Sequence, residues 1–347
     1  GKTIASFRRN VLGTLKQQLA ARGYNVKEHR AENCMTVSKG GRANEFYFFG
    51  GKDESSQDLI QGITLAGAFF DEVALMPQSF VNQATARCSV TGSKFWFNCN
   101  PGSPQHWFYL EWVRKCRSRK MMYLHFTMDD NLSLAEDIKE RYRSQYSGVF
   151  YQRYIMGLWT VAEGLVYDMF DRQKHIIDKL PELSPNGAYV ACDFGTQNAT
   201  VFLLFQMQAE DGTWIATREY YYSGREMKRQ KTVGEYVADL KRWLNGTKPE
   251  KVIVDPSALP LITELKKNGF PIQAANNDVL SGILDVQTML QTGKLKIYRE
   301  CKRTIQEFGV YAWDPDREDV VIKENDHCMD SIRYFVRTRR LVKRAGG

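Results

Sequence analysis

Three short apolar runs, each ending on a carboxylate, constrain this chain more than any other feature. Ala66 to Phe70 run into Asp71 and Glu72, Ala188 to Cys192 into Asp193, and Lys251 to Val254 into Asp255. Runs this short, closed at once by charge, read as strands buried on both faces. Such strands need helices on either side, so the chain is expected to be α/β. The acids then stand at strand carboxyl ends, where open α/β sheets bind their ligands.

The first acid pair gains meaning from the start of the chain. Gly1-Lys2-Thr3 match the end of the phosphate-loop pattern G-x-x-x-x-G-K-[ST], and Phe7, Val11, Leu12, Leu15 and Leu19 follow at helical spacing. In such a loop the lysine reaches phosphates, the hydroxyl holds magnesium, and the helix N-terminus adds positive dipole. Asp71 and Glu72 can then hold the magnesium shell and orient water. Each signal alone is common, since acids often end strands and Gly-Lys-Thr arises by chance; their pairing points to a nucleotide. Further strands are expected at Glu45–Phe49, Lys94–Cys99 and Tyr123–Phe126, with helices at Ser79–Cys88 and Leu134–Tyr146. If the Lys94 strand is a parallel neighbour of the acidic one, its end lies beside Asp71 and Glu72. Asn100 then either senses a γ-phosphate or serves only the Asn-Pro-Gly turn.

At 347 residues the chain suits two domains. Residues 1–159 form the first, and 160–186, which lose periodicity and collect Gly164, Pro181 and Pro185, read as a linker to a second domain at 187–347. A formal net charge of +8 leans toward a polyanionic partner. Seven cysteines without paired spacing fit reduced thiols. No apolar run approaches the ~20 residues of a membrane span.

The second domain opens with three strands in succession and continues with alternating helix and strand, the element order of a ribonuclease H-like fold. Leu295–Tyr298 is expected as an edge strand. Asp193 and Asp255 are strand-end acids, and Asp330 lies on the last helix with His327 at i−3 on the same face. Crowded carboxylates repel unless cations sit among them, and hard divalent cations bound by carboxylate oxygens are what phosphodiester hydrolysis requires. The alternatives are turn-starting aspartates and a structural histidine. Asp326 reads as a helix N-terminal residue, and Asp278 and Asp285 as solvated. Arg333, Arg337, Arg339, Arg340, Lys343 and Arg344 read either as a solvated basic helix end or as contacts to a phosphate backbone.

Taken together, these motifs resemble the large terminase subunit of tailed bacteriophages and prophages, nearest to its PBSX-like branch. Gly-Lys-Thr is similar to the end of Walker A, Phe-Phe-Asp-Glu to Walker B, and Phe-Asn-Cys-Asn-Pro-Gly to the coupling motif. Gly157-Leu158-Trp159 with Glu163-Gly164-Leu165-Val166-Tyr167 resembles the junction between motor and nuclease. Asp193, Asp255 and the stretch from His327 to Tyr334 resemble the nuclease motifs. The resemblance implies a P-loop ATPase of ASCE type followed by a ribonuclease H-like nuclease, with a Walker A motif that begins before Gly1. It implies ATP bound by Gly1, Lys2, Thr3 and Asp71, with Glu72 activating water and Asn100 sensing hydrolysis. Two Mg2+ or Mn2+ ions would be held by Asp193, Asp255 and Asp330, with His327 as a fourth ligand. The implied work is threading double-stranded DNA into a procapsid and cutting the concatemer, in the host cytoplasm and transiently at the portal. Portal protein, the small terminase subunit and a homo-oligomeric ring are the implied partners. Two other readings fit the same residues: a P-loop ATPase with a DNA-binding but non-cleaving second domain, and an inactive remnant serving as an interaction module.

Overall fold

The computed structural model describes residues 1–195 and 198–342, in two compact units. One comprises residues 1–125 with 157–160, and the other 126–156 with the described residues from 161 onward.

The first unit opens with a helix in three parts, α1 (Ile4–Phe7), a π-turn (Arg8–Leu12) and α2 (Gly13–Ala21). Of its expected apolar stripe, Phe7, Leu12, Leu15 and Leu19 pack into one cluster. Leu12 is buried against Met35 and Val37 of an antiparallel meander, β1 (Asn25–His29), β2 (Cys34–Lys39) and β3 (Arg42–Tyr47), and against Phe48, which follows it. The acidic strand is β4 (Gly67–Phe70); after α3 (Gln78–Arg87) comes β5 (Lys94–Phe97), its parallel neighbour. The sheet departs from expectation in its burial. Phe70 and Phe97 stack at 5.0 Å above Phe108 and Trp112, whereas Phe69 and Trp96 on the other face are 46% and 55% exposed. Among the described residues only these two strands form the sheet, and a lone pair covers one face and leaves the other open. Tyr123–Phe126, expected as a strand, is assigned to none.

The second unit takes in more of the chain than the sequence suggests. Residues 126–156, expected in the first domain, pack here, with the expected helix α4 (Glu136–Gln145) and a second, α5 (Gly148–Tyr154). Phe150 enters the core, and Arg153 donates from both terminal nitrogens to Asp319, at 2.9 and 2.7 Å. Nor does the expected linker behave as one. Val166 and Tyr167 are buried, Gln287 Nε2 donates to the Val166 carbonyl, and α6 (Arg172–His175) leads into β6 (Ile176–Ile177). The rest follows the expected order: β7 (Tyr189–Asp193), β8 (Ala199–Met207), β9 (Trp214–Ser223), α7 (Val233–Leu244), β10 (Lys251–Val254), α8 (Leu259–Lys267), β11 (Ile272–Ala274), α9 (Val279–Gln291), β12 (Leu295–Tyr298), α10 (Lys302–Phe308) and α11 (His327–Thr338).

These strands make one seven-stranded sheet, ordered β11-β10-β7-β8-β9-β12-β6. The β7-β8-β9 meander is antiparallel, and β10 and β11 add in parallel beside β7, the ribonuclease H-like arrangement. Strand β12 is interior rather than an edge, because the two-residue β6 covers it. Apolar layers lie on both faces, α7 and α8 over one, α9 and α11 over the other. The register Cys192↔Val254 sets the residues that follow, Asp193 and Asp255, at the same end of neighbouring parallel strands.

Candidate active sites

In the first unit Asp71 and Glu72 leave β4 where β5 ends, and the structure identifies the residue that joins them. It is Asn98. Asn98 Nδ2 donates to Asp71 Oδ1 at 3.1 Å, and its Oδ1 accepts from the Glu72 amide at 2.7 Å. Glu72 needs that support, since its φ of +57° is uncommon for a residue with a Cβ. Asn98 stands two residues nearer the strand than the Asn-Pro-Gly turn that is conspicuous in the sequence, and it is Asn98 that bonds to both acids. Gly1 lies within electrostatic reach of both acids, and its carbonyl accepts from the Gly51 amide at 3.0 Å. Thr3 caps α1, accepting from the Ser6 amide at 3.1 Å, and Lys2 is exposed. The two halves of the expected nucleotide site are therefore close together.

The second constellation gathers at the carboxyl ends of β7 and β10, under the first turn of α11. His327 Nδ1 lies 2.8 Å from Asp193 Oδ2. Burial pushes the Asp193 carboxyl up, and the Asp330 charge pushes the same way against the pull of His327. Burial also pulls the His327 ring down, yet the Asp193 carboxylate outweighs it and the ring sits above its ordinary value. Asp255 is held differently. Burial pushes it up, but hydrogen bonds from Ser257, Asn277 and Tyr334 prevail and keep it below the usual carboxylate range. The Tyr334 hydroxyl donates to Asp255 Oδ2 at 3.1 Å, and its phenol feels the charges of Asp330, Asp193 and Asp255 together. All three expected acids thus share one neighbourhood.

Asp330 is buried between two cations. Arg333 Nη2 donates to Oδ1 at 2.7 Å, and Lys323 Nζ lies 3.3 Å from Oδ2. Lys323 also lies 3.2 Å from Asp326, which is buried and does not cap the helix with its side chain. The cap comes from α10, where Glu307 Oε2 accepts from the amides of Cys328 and Met329. Neither Lys323 nor Glu307 stands out in the sequence, as each is one charge among many.

Other assignments change. Asp285 is buried and takes a hydrogen bond from Arg337 at 2.9 Å, whereas Asp278 is exposed, as expected, and caps α9. Arg333, Arg337 and Arg339 turn inward, the last over the Tyr189 ring, because α11 is enclosed on nearly every side. Of the expected phosphate contacts Arg340 is exposed, and Lys343 and Arg344 lie outside the described residues. Among the described residues no three His, Cys, Asp or Glu side chains converge as a ready shell for one metal ion. Lys323 and Arg333 supply positive charge beside Asp330. The donor chemistry, carboxylate oxygens with one imidazole at a sheet end, still fits a hard divalent cation.

Comparison with known proteins agrees with this architecture. The family described as "Terminase large subunit, T4likevirus-type, N-terminal" matches residues 14–174. A crystal structure of the large terminase from a thermophilic bacteriophage is 53% identical, with a TM-score of 0.89, over 97% of this chain and 84% of that one. The same phage protein in complex with ADP is 51% identical over 99% of this chain and 86% of that one, with a TM-score of 0.87. The large terminase subunit of Escherichia phage T5 is 24% identical over 61% of this chain and 50% of that protein; for Salmonella phage P22 the values are 22%, 82% and 57%. The chain spans about half the length of these curated relatives. The fold class is α/β, a P-loop ATPase unit followed by a ribonuclease H-like unit, and the chain belongs to the large terminase subunit family.

Proposed function

We propose that the second unit is a metal-dependent DNA endonuclease and that the first carries an ATP site, the two together serving phage DNA packaging. The observation that carries the nuclease reading is the pairing of Asp193 and Asp255 at the ends of adjacent parallel strands, with Asp330 facing them from α11. Two divalent cations held by Asp193, Asp255 and Asp330 would supply a deprotonated water and neutralise the leaving oxygen. His327 aligns the Asp193 carboxylate through Nδ1, which leaves Nε2 as the nitrogen available to a metal. Tyr334 and the Ser257 amide hold Asp255 ionised and in place. Lys323, with its side chain about half exposed, can turn its ammonium toward a phosphate.

The ATP reading is supported by the closeness of Gly1 to Asp71 and Glu72. Complexes of the thermophilic phage enzyme with ADP and with ATP-γ-S point the same way. Lys2 and Thr3 would then meet phosphate and magnesium, with Glu72 beside the water. Packaging into a procapsid, with portal protein and small subunit as partners, follows from the family and belongs to this proposal.

Supercoiled plasmid incubated with the purified chain in manganese, in magnesium and in chelator tests the nuclease reading. Cleavage only with metal is expected. Binding of DNA without cleavage in either metal would overturn it in favour of a metal-free DNA-binding unit.

A further inference from the structure

Arg333 is a charged residue only 2% exposed, a placement that demands partners. It has two on its terminal nitrogens: Nη2 donates to Asp330 Oδ1 at 2.7 Å, one turn back on α11, and Nη1 donates to the Asn277 carbonyl at 2.9 Å. To reach them the side chain crosses α9 at one residue. A Cβ built on Gly282 would stand 2.3 Å from Arg333 Cγ and 2.7 Å from Cδ, closer than real Cβ contacts come. Gly282 lies inside α9, where a glycine costs about 1 kcal/mol relative to alanine. The helix carries that cost where the arginine passes.

We propose that Arg333 is the positioning residue for Asp330 and that Gly282 is the opening that admits it. The proposal rests on the reading of Asp330 as part of a metal centre. Its substance is an asymmetry between the two oxygens of one carboxylate. Oδ1 is anchored from inside the protein by a planar guanidinium that is itself fixed by a backbone carbonyl. Oδ2 faces Lys323, whose side chain is 55% exposed and can move away. Asp330 therefore offers one oxygen, in one orientation, to whatever cation enters between it and Asp193. Arg333 touches neither substrate nor metal. Outer partners of this kind typically change metal affinity by about 10- to 100-fold.

The test is a titration of the whole chain with Mn2+, followed by the electron paramagnetic resonance of the free ion, alongside thermal melting. Arg333→Lys keeps the charge but cannot make both bonds, and Gly282→Ala displaces the arginine without touching the acid. Both are expected to remain folded and to bind Mn2+ about 10-fold or more weakly, with Asp330→Ala as the reference for loss of the ligand. Wild-type affinity in both folded variants would overturn the proposal. A crystal structure of Gly282→Ala decides the matter independently of metal: a shifted Asp330 carboxylate supports it, and an unmoved one overturns it. Absence of Mn2+ binding by the wild type would refute the metal-centre reading itself, and the crystal structure would still decide the role of Arg333.

Discussion

His327 on α11 places Nδ1 2.8 Å from Oδ2 of Asp193, which lies 134 residues earlier at the end of β7. This contact ties the last helix to β7 at the point where the acids gather. Replacing His327 with Ala leaves a largely buried carboxylate without its imidazole partner. A loss of about 1.5–3 kcal/mol is expected for a hydrogen bond to a charged group. Urea denaturation followed by far-ultraviolet circular dichroism measures it, and an unchanged midpoint would show that the contact carries no stability.

Glu307 gives a pH-dependent prediction. Burial pushes its carboxyl up to about 7, against the pull of the Cys328 and Met329 amides and of His327. A group whose pKa is higher folded than unfolded contributes stability that is full below the unfolded value and is lost as pH rises through the folded one. Relative to Glu307→Gln, the wild type should therefore lose up to about 3 kcal/mol between the ordinary value of 4.5 and about 7. Parallel denaturation curves at about pH 4.5 and about pH 8, on either side of that window, check this. An identical difference at both would refute it.

The Arg153 contact tests whether 126–156 belongs to the second unit. Arg153 is 4% exposed and gives both terminal nitrogens to Asp319. Asp319→Ala removes two charge-assisted hydrogen bonds from a buried guanidinium, and about 1.5–3 kcal/mol should be lost. Limited proteolysis should then cut within 148–154 earlier than in the wild type. Unchanged resistance would contradict the assignment.

Asn98 allows a milder test in the first unit. Asn98→Ala removes two hydrogen bonds that hold Asp71 and the left-handed Glu72. Both acids are partly or fully exposed, so water compensates and a loss of about 1 kcal/mol is expected. Asn100→Ala should change stability by less. Melting curves of the two variants rank them, and the reverse order would contradict the role of Asn98 in holding the two acids.

Much of the second unit is legible in the sequence because its strands and helices have long, clear periodicities. The carboxylates that close β7 and β10 mark the candidate site without any knowledge of contacts. What the sequence hides is local and short. Strand β6 has two residues and no pattern, so β12 reads as an edge. Residues 160–170 lack periodicity because they fill gaps in a core built elsewhere, and Tyr167 shows how buried such a stretch can be. The basic run on α11 reads as surface because charge is normally solvated, whereas Arg333 and Arg337 are paired inside with Asp330 and Asp285. Asn98 is masked by the more conspicuous Asn100-Pro101-Gly102 turn.

The nuclease assignment is tested most directly by plasmid cleavage with the wild type, Asp193→Ala and Asp255→Ala in manganese, with thermal melting of each protein. Metal-dependent nicking is expected from the wild type, with a loss of at least about 100-fold in either folded variant, the scale of ~3 kcal/mol in transition-state stabilisation. Wild-type cleavage by a folded Asp193→Ala or Asp255→Ala protein would contradict the assignment and move the chemistry away from the ends of β7 and β10.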